Sequence, residues 1–117
     1  MKLKLDLFDK RIVVYEAVKK ALGSLRNFDI SRSELRDSYL NGIAGARWLF
    51  NEKMEVYLSW DILDKIDDLR DTFEDQRDAV PASQTEALRA RLEPLGEVKS
   101  LLEDIEERFA PFLSVSH

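Results

Sequence analysis

Residues 51–80, NEKMEVYLSWDILDKIDDLRDTFEDQRDAV, decide the fold. Apolar side chains recur there in steps of four and three, at Leu58, Ile62, Ile66, Leu69 and Phe73, and Val80 follows seven residues later. This spacing is that of one face of an α-helix. The sequence therefore predicts a helix over 52–79, capped by Asn51 and ended by Pro81. At ~1.5 Å per residue such a helix is roughly 40 Å long.

A row of aspartates lies opposite that apolar stripe, at Asp64, Asp68, Asp71, Asp75 and Asp78. Three interpretations stay open. The row is a solvated face that Lys65 and Arg77 partly neutralise, a surface that binds a protein by imitating the phosphates of DNA, or a carboxylate site for Mg²⁺ or Ca²⁺. Known di-metal bundles point a Glu-x-x-His pair into the core, which this chain lacks.

Three further helices are predicted from periodicity and capping signals. The first covers about 6–25. The second begins at the capping box formed by Ser31 and Glu34 and extends to about residue 50. The fourth begins at a second capping box, Ser83 and Glu86. At Pro94 it either kinks or stops near Arg91, and a stop is favoured, with a new helix that has Pro94 in its first turn.

Two glycines, Gly42 and Gly45, lie within the predicted second helix. Glycine in a helix costs about 1 kcal/mol relative to alanine, so its presence asks for a reason. Together with Ala44 and Ala46, they indicate that another helix packs closely here. A backbone approached by a ligand is the alternative, but the spacing matches no phosphate-binding loop.

These elements predict an all-α fold. The chain, residues 1–117, is expected to be a single helical domain: an antiparallel bundle of three long helices plus a fourth that Pro94 breaks. No apolar run approaches the ~20 residues that a membrane span needs, so no membrane span is expected.

Charge is distributed unevenly along the chain. The net charge is −5 overall, +4 for residues 1–51, −6 for residues 52–78 and −3 for residues 79–117. Direct nucleic-acid binding requires a basic stripe, and the central helix is acidic instead. The basic first half is expected to complement that acidic helix.

The usual catalytic residue types are almost missing. The chain has no cysteine and one histidine, the terminal His117. Thiolate catalysis, disulfides and Ser-His-Asp chemistry are therefore excluded, and no cofactor is predicted. The prediction is that the protein is not an enzyme; a Mg²⁺-dependent enzyme that works with carboxylates is the weaker alternative.

Two aromatic residues, Tyr57 and Trp60, lie away from the Leu58–Ile62–Ile66 stripe, on the aspartate side. With Trp48 and Met54 nearby, they indicate a second apolar patch. Either other helices sandwich the start of the long helix, or the patch is a dimer or partner surface. The predicted partner-binding residues are Trp48, Tyr57, Trp60, Asp64, Asp68, Asp71 and Asp75.

Five short motifs are spread along the chain. They are Phe8-Asp9-Lys10-Arg11, Val14-Tyr15-Glu16-Ala17, Ala46-Arg47-Trp48-Leu49-Phe50, Val56-Tyr57-Leu58 and Phe109-Ala110-Pro111-Phe112-Leu113. With these motifs the chain resembles an uncharacterised bacterial all-helical family, over nearly its whole length. The resemblance implies a cytoplasmic helical domain, carried in some relatives behind a transmembrane segment that is missing here. It implies no catalytic residues.

The function expected from the sequence is that of a non-catalytic interaction or scaffolding domain in the cytoplasm. Its partner is a protein or a second copy of itself, with a homodimer expected. The alternative is an acidic inhibitor of phage type, or DNA mimic, that binds a nucleic-acid-handling protein.

Overall fold

The structure, a computed structural model, describes residues 2–78 and 83–113. In these two ranges the chain forms helices and no strand. The helices are α1 (Lys2–Gly23), α2 (Arg32–Gly42), α3 (Ala46–Leu49), α4 (Glu52–Val56), a π-helix (Tyr57–Ile62), α5 (Leu63–Asp78) and α6 (Gln84–Leu113). The all-α prediction is confirmed.

The predicted long helix is continuous from Glu52 to Asp78, but it is not α-helical throughout. Asn51 caps it as predicted, because its side-chain oxygen accepts the backbone N–H of Met54 at 2.8 Å. After Val56 the helix widens into the π-helix and then resumes as α5. The buried apolar side chains are those of the predicted stripe, Leu58, Ile62, Ile66, Leu69 and Phe73, joined by Met54, Tyr57 and Leu63. The predicted end of this helix, at Ala79 and Val80, lies outside the described residues.

The first helix begins earlier than predicted, at Lys2 rather than near Asp6, because Lys and Leu are good helix formers and nothing in 2–6 interrupts them. It ends at Gly23, close to the predicted end. Its buried side chains are Val14, Val18, Ala21 and Leu22.

The prediction of one long second helix is wrong. Ser31 caps its start as predicted, accepting the backbone N–H of Glu34 at 3.1 Å. The helix ends at Gly42, however, and a separate four-residue helix, α3, follows. Gly45 separates the two with a φ of +84°, a left-handed conformation that favours glycine.

The prediction of a break at Pro94 is also wrong, because α6 runs from Gln84 to Leu113 as one helix with Pro94 and Pro111 inside it. The second capping box is present, with the Ser83 hydroxyl accepting the Glu86 N–H at 3.1 Å. Pro94 is buried, and beyond it Ile105 and Phe109 are fully buried in the core. Packing of this apolar face holds the helix together where local preference favours a stop.

Close packing at Gly42 is confirmed. A Cβ placed on Gly42 would lie 2.5 Å from the Cβ of Ala17 in α1. No described atom lies within 4 Å of the equivalent position on Gly45, whose role is the turn.

Candidate protein-interaction surface

Two tryptophans stand out on the surface of the molecule. Trp48 in α3 is 83% exposed and Trp60 in the π-helix is 69% exposed. Val56, on the turn before Trp60, is exposed as well. We call Trp48, Val56 and Trp60 the tryptophan surface. Tryptophan is enriched at the energetic centres of protein interfaces, so these side chains are candidates for a contact site.

Local packing forces Trp48 outward. In α3 the side chain of Ala46 is buried, and two residues further along a helix the side chain points roughly to the opposite side. The end of α3 is anchored by Arg11, whose Nε donates to the carbonyl of Leu49 at 2.6 Å. The next residue, Phe50, packs edge-on against Phe109 with ring centroids 5.1 Å apart.

Trp60 is exposed because its neighbours in the π-helix occupy the core. Tyr57, Leu58 and Ile62 are buried, which leaves Trp60 and Asp61 on the outer side. The carbonyl of Leu58 accepts the hydroxyl of Tyr39 in α2 at 2.6 Å. This hydrogen bond, made by a fully buried side chain, ties the π-helix to α2.

Tyr57 does not belong to the exposed surface, contrary to its predicted grouping with Trp60. Its side chain is 5% exposed, and its hydroxyl donates to the carboxylate of Asp104 in α6. The guanidinium of Arg108 lies 4.3 Å from the centre of its ring. Burial, reinforced by the bond to Asp104, raises the pKa of Tyr57. Of the two interpretations of the aromatic patch, Tyr57 fits the one in which other helices cover the start of the long helix, because its side chain contacts α6.

The four aspartates predicted to bind a partner, Asp64, Asp68, Asp71 and Asp75, are all exposed on α5. Asp71 is engaged within the chain, where its carboxylate pairs with Arg32 at the start of α2. No described base lies within ion-pair distance of Asp64, Asp68 or Asp75.

The basic first half of the chain does complement the acidic helix, and it does so within one molecule. Arg32 also pairs with Glu74 at 2.9 Å, and Arg36 pairs with Asp67 at 3.3 Å. Hydrogen bonds from Arg70 and Arg32 lower the pKa of Glu74. These pairs lie beside the predicted aspartate row and align α2 on α5.

A buried arginine, Arg70, was not predicted from the sequence. It is 2% exposed and donates to the backbone carbonyls of Leu25 and Asn27, each at 3.1 Å, and of Ile30 at 2.6 Å. It thereby holds the connection between α1 and α2 against α5. Its position carried a signal, because Arg70 lies four residues after Ile66 and three before Phe73, on the apolar stripe itself.

A shallow groove of about 550 Å³ adjoins the tryptophan surface. Val56 and Tyr57 supply its apolar lining, and Lys53, Asp61 and Arg108 its charged lining. A larger groove of about 700 Å³ lies between α5 and α6, with Lys65, Leu69, Glu93 and Asp104 among its walls. Both grooves are open and of mixed charge, which suits contact with another protein surface.

A second pair of exposed apolar side chains, Leu88 and Leu92, lies near the start of α6. They continue the apolar face that includes Leu95 and Leu102, both partly buried against the core. Their exposure provides an internal comparison for the tryptophan surface, because the two patches lie on different elements.

Within the described ranges, no three His, Cys, Asp or Glu side chains are arranged to hold a metal ion. The helices described there include none that is long and apolar enough to cross a membrane. The terminal His117 lies outside these ranges.

No family model, curated protein or solved structure matches the chain. The resemblance to an uncharacterised bacterial helical family therefore stays a prediction, and the function has to be argued from the surface itself.

Proposed function

We propose that the protein is a non-catalytic interaction or scaffolding domain that forms a homodimer through the tryptophan surface. The observation that carries this proposal is the exposure of Trp48 and Trp60, at 83% and 69%, in a chain whose other described aromatic side chains are buried or partly buried. Tryptophan is among the residue types enriched at the energetic centres of interfaces. A surface with two of them loses unfavourable contact with water when it is covered.

As part of the same proposal, the helices form an antiparallel bundle that presents this surface. Contacts between α1 and α6 support the antiparallel arrangement. Arg11 donates to the carbonyl of Phe112, and Tyr15, further along α1, contacts Phe109 and Glu106, which come earlier in α6. The two helices therefore run in opposite directions. The pairs that Arg32 and Arg36 make with Asp71 and Asp67 have the same reversed order between α2 and α5.

A non-catalytic role is supported by the state of the buried hydroxyl groups. Tyr39 and Tyr57 are the buried phenols, and burial raises the pKa of each. A phenol whose pKa is raised stays protonated near neutral pH and supplies no phenolate to act as a general base. The chain also has no cysteine, as suits the reducing cytoplasm in which we place this domain.

Sedimentation velocity on two double variants tests the proposal. Trp48→Ala/Trp60→Ala removes the exposed rings and is expected to convert a dimer into a monomer, with unchanged helix content by circular dichroism. Leu88→Ala/Leu92→Ala removes the other exposed apolar pair and is expected to leave the dimer intact. A dimer that survives the tryptophan changes, or is lost with the leucines, contradicts the proposal.

The aspartate face supports a second candidate, an acidic inhibitor that occupies a basic site on a nucleic-acid-handling protein. The supporting observation is that Asp64, Asp68 and Asp75 are exposed with no described base at ion-pair distance. Its test is competition with duplex DNA for a basic DNA-binding enzyme. Competition is expected to weaken steeply as the salt concentration rises, and to weaken in the triple variant Asp64→Asn/Asp68→Asn/Asp75→Asn. If competition is absent, or does not change with salt, this candidate function is ruled out.

A further inference from the structure

The helical part of the tryptophan surface, Val56 and Trp60, has charges of opposite sign at its two ends. Along the helix that begins at Glu52, the exposed residues Lys53, Val56, Trp60 and Asp64 follow one another in steps of three and four. They therefore share one face, with a base at one end, an acid at the other and apolar groups between. In a plain α-helix Lys53 and Asp64 would be roughly 16 Å apart along the axis, and the π-helix between them makes this distance somewhat shorter.

The two charges at the ends of this face differ from the paired charges beside them. Among the described residues, no ion pair involves Lys53 or Asp64. On the neighbouring side of the same helix, by contrast, Asp67, Asp71 and Glu74 all pair with arginines of α2 or α5. The carboxylates of Asp67, Asp71 and Glu74 are thus paired within the fold, whereas Lys53 and Asp64 remain available to a partner.

Such a face is complementary to a second copy of itself. When two copies lie antiparallel on this face, Lys53 of each copy meets Asp64 of the other, and Trp60 covers Val56 of the other copy. A parallel arrangement would instead place like charges together. A two-fold axis generates both ion pairs at once, as in most homodimers.

We propose that the homodimer is two-fold symmetric, with the face formed by Lys53, Val56, Trp60 and Asp64 packed antiparallel on its twin. This inference rests on the proposed function and adds the geometry of the contact. Aromatic side chains bury ~150–250 Å² each, so Trp60 of two copies supplies roughly 300–500 Å² of the ~1,200–2,000 Å² of a standard interface.

Charge reversal tests the arrangement. Lys53→Glu places two acids together at each end of the interface, and Asp64→Lys places two bases together. Each variant alone is expected to weaken the dimer, with a dissociation constant raised about tenfold or more. An equimolar mixture of the two variants is expected to regain dimers. In such a mixed dimer the introduced glutamate of one chain faces the introduced lysine of the other, and the native Lys53 faces the native Asp64.

Asp75→Lys is the matched control, since Asp75 is an exposed acid further along α5 and its reversal leaves the dimer unchanged. Sedimentation velocity of each variant and of the mixture gives the readout, with circular dichroism to verify helix content. If a reversal unfolds the chain, Lys53→Gln and Asp64→Asn replace it, and each must then weaken the dimer and reduce its sensitivity to salt.

The outcomes separate this inference from the proposed function. A wild-type dimer that is indifferent to both reversals, or a mixture that stays monomeric, overturns the antiparallel arrangement while self-association stands. A wild-type chain that is monomeric at every concentration overturns both.

Discussion

Gly42 has no side chain, and this lets α2 pack closely on α1 at Ala17. A Cβ at this position would lie 2.5 Å from the Cβ of Ala17, and neither atom is at the end of a flexible side chain. Gly42→Ala is expected to lower the free energy of unfolding by about 1–3 kcal/mol, because overpacking outweighs the gain in helix propensity. Urea denaturation measures the change.

Gly96 provides the matched control for that substitution. It lies inside α6, and no described atom lies within 4 Å of the place where its Cβ would be. Gly96→Ala is expected to raise the free energy of unfolding by about 0.5–1 kcal/mol. If both alanines shift stability in the same direction, close packing is not the reason for Gly42.

Arg70 is expected to be the most sensitive charged residue of the described chain. Arg70→Met takes one donor from each of three carbonyl groups, of which only that of Asn27 keeps a described second donor, the N–H of Ile30. It also removes the charge that faces Glu74. The expected loss in the free energy of unfolding is about 2–5 kcal/mol, measured by urea denaturation. Arg77→Met is the control, because Arg77 is exposed and, like Arg70, lies over the ring of Phe28. Its replacement is expected to lower the free energy of unfolding by less than about 1 kcal/mol.

Gly42 and Arg70 were not equally predictable from the sequence. The glycine could be interpreted directly, because its cost in a helix demands a packing partner. The arginine could be located only as a break in an apolar stripe, since its three acceptors come from a connection whose path the sequence does not reveal. Tyr57 shows the same limit: its spacing placed it beside Trp60, but its burial depends on where α6 passes.

The π-helix is the element that periodicity could not reveal. Leu58, Ile62 and Ile66 follow one another in steps of four whether or not one turn widens, so the pattern is the same for a plain α-helix. At the wider turn the Tyr39 hydroxyl, from α2, donates a hydrogen bond to the carbonyl of Leu58 at 2.6 Å. This contact joins two helices that are far apart in the sequence. π-Helical turns occur often at functional positions, and this one carries Trp60.

Tyr39→Phe tests the contribution of that hydrogen bond. Removing the hydroxyl takes one donor from the buried Leu58 carbonyl, and the free energy of unfolding is expected to fall by about 1–2 kcal/mol. Tyr15→Phe is the control, because the Tyr15 hydroxyl makes a long, exposed contact of 3.4 Å with Glu106. Its change is expected to stay within about 0.5 kcal/mol. Equal effects in urea denaturation would show that the Tyr39 bond does not hold the π-helix.

Capping signals predicted correctly where three helices begin, although α1 begins at Lys2, before its predicted start near Asp6. Ser31, Asn51 and Ser83 each accept a backbone N–H at the start of a helix, as their side chains suggest. A cap acts within one turn, so the sequence contains all of its parts. The continuity of α6 through Pro94 depends instead on the core that Ile105 and Phe109 enter, which no local pattern contains.

Over the whole molecule, alkaline pH is expected to unfold the chain by way of its buried tyrosines. Burial raises the pKa of Tyr39 and Tyr57 above the ordinary value of about 10. The folded state therefore holds their protons more tightly than the unfolded state. Stability from this source is complete below about pH 10 and is lost as the pH rises from there toward the folded pKa values.

The measurement is tyrosinate absorbance followed together with circular dichroism in an alkaline titration. Ionisation of Tyr39 and Tyr57 is expected to coincide with loss of helix. Burial and the neighbouring Glu106 raise the pKa of Tyr15 as well, but its side chain is only partly buried. Tyr15→Phe is therefore expected to remove absorbance that appears before unfolding. Ionisation of all three tyrosines near pH ~10 with the helices intact would contradict the burial of these phenols.

The distribution of charge was the whole-molecule property that the sequence predicted best. A basic first half and an acidic central helix implied mutual attraction, and Arg32 and Arg36 do lie on Asp71, Glu74 and Asp67. Sequence alone left open whether that attraction acts within one chain or between two. The structure shows these pairs within one chain, and Trp48 and Trp60 remain as large exposed groups that a partner would cover.

Multi-angle light scattering of the wild-type chain, at two concentrations and two salt levels, tests self-association most directly. We expect a mass twice the 13.6 kDa of one chain at the higher concentration, retained in high salt because buried tryptophan area dominates the contact. A mass of one chain under all four conditions would contradict the proposal that the tryptophan surface is a dimer interface.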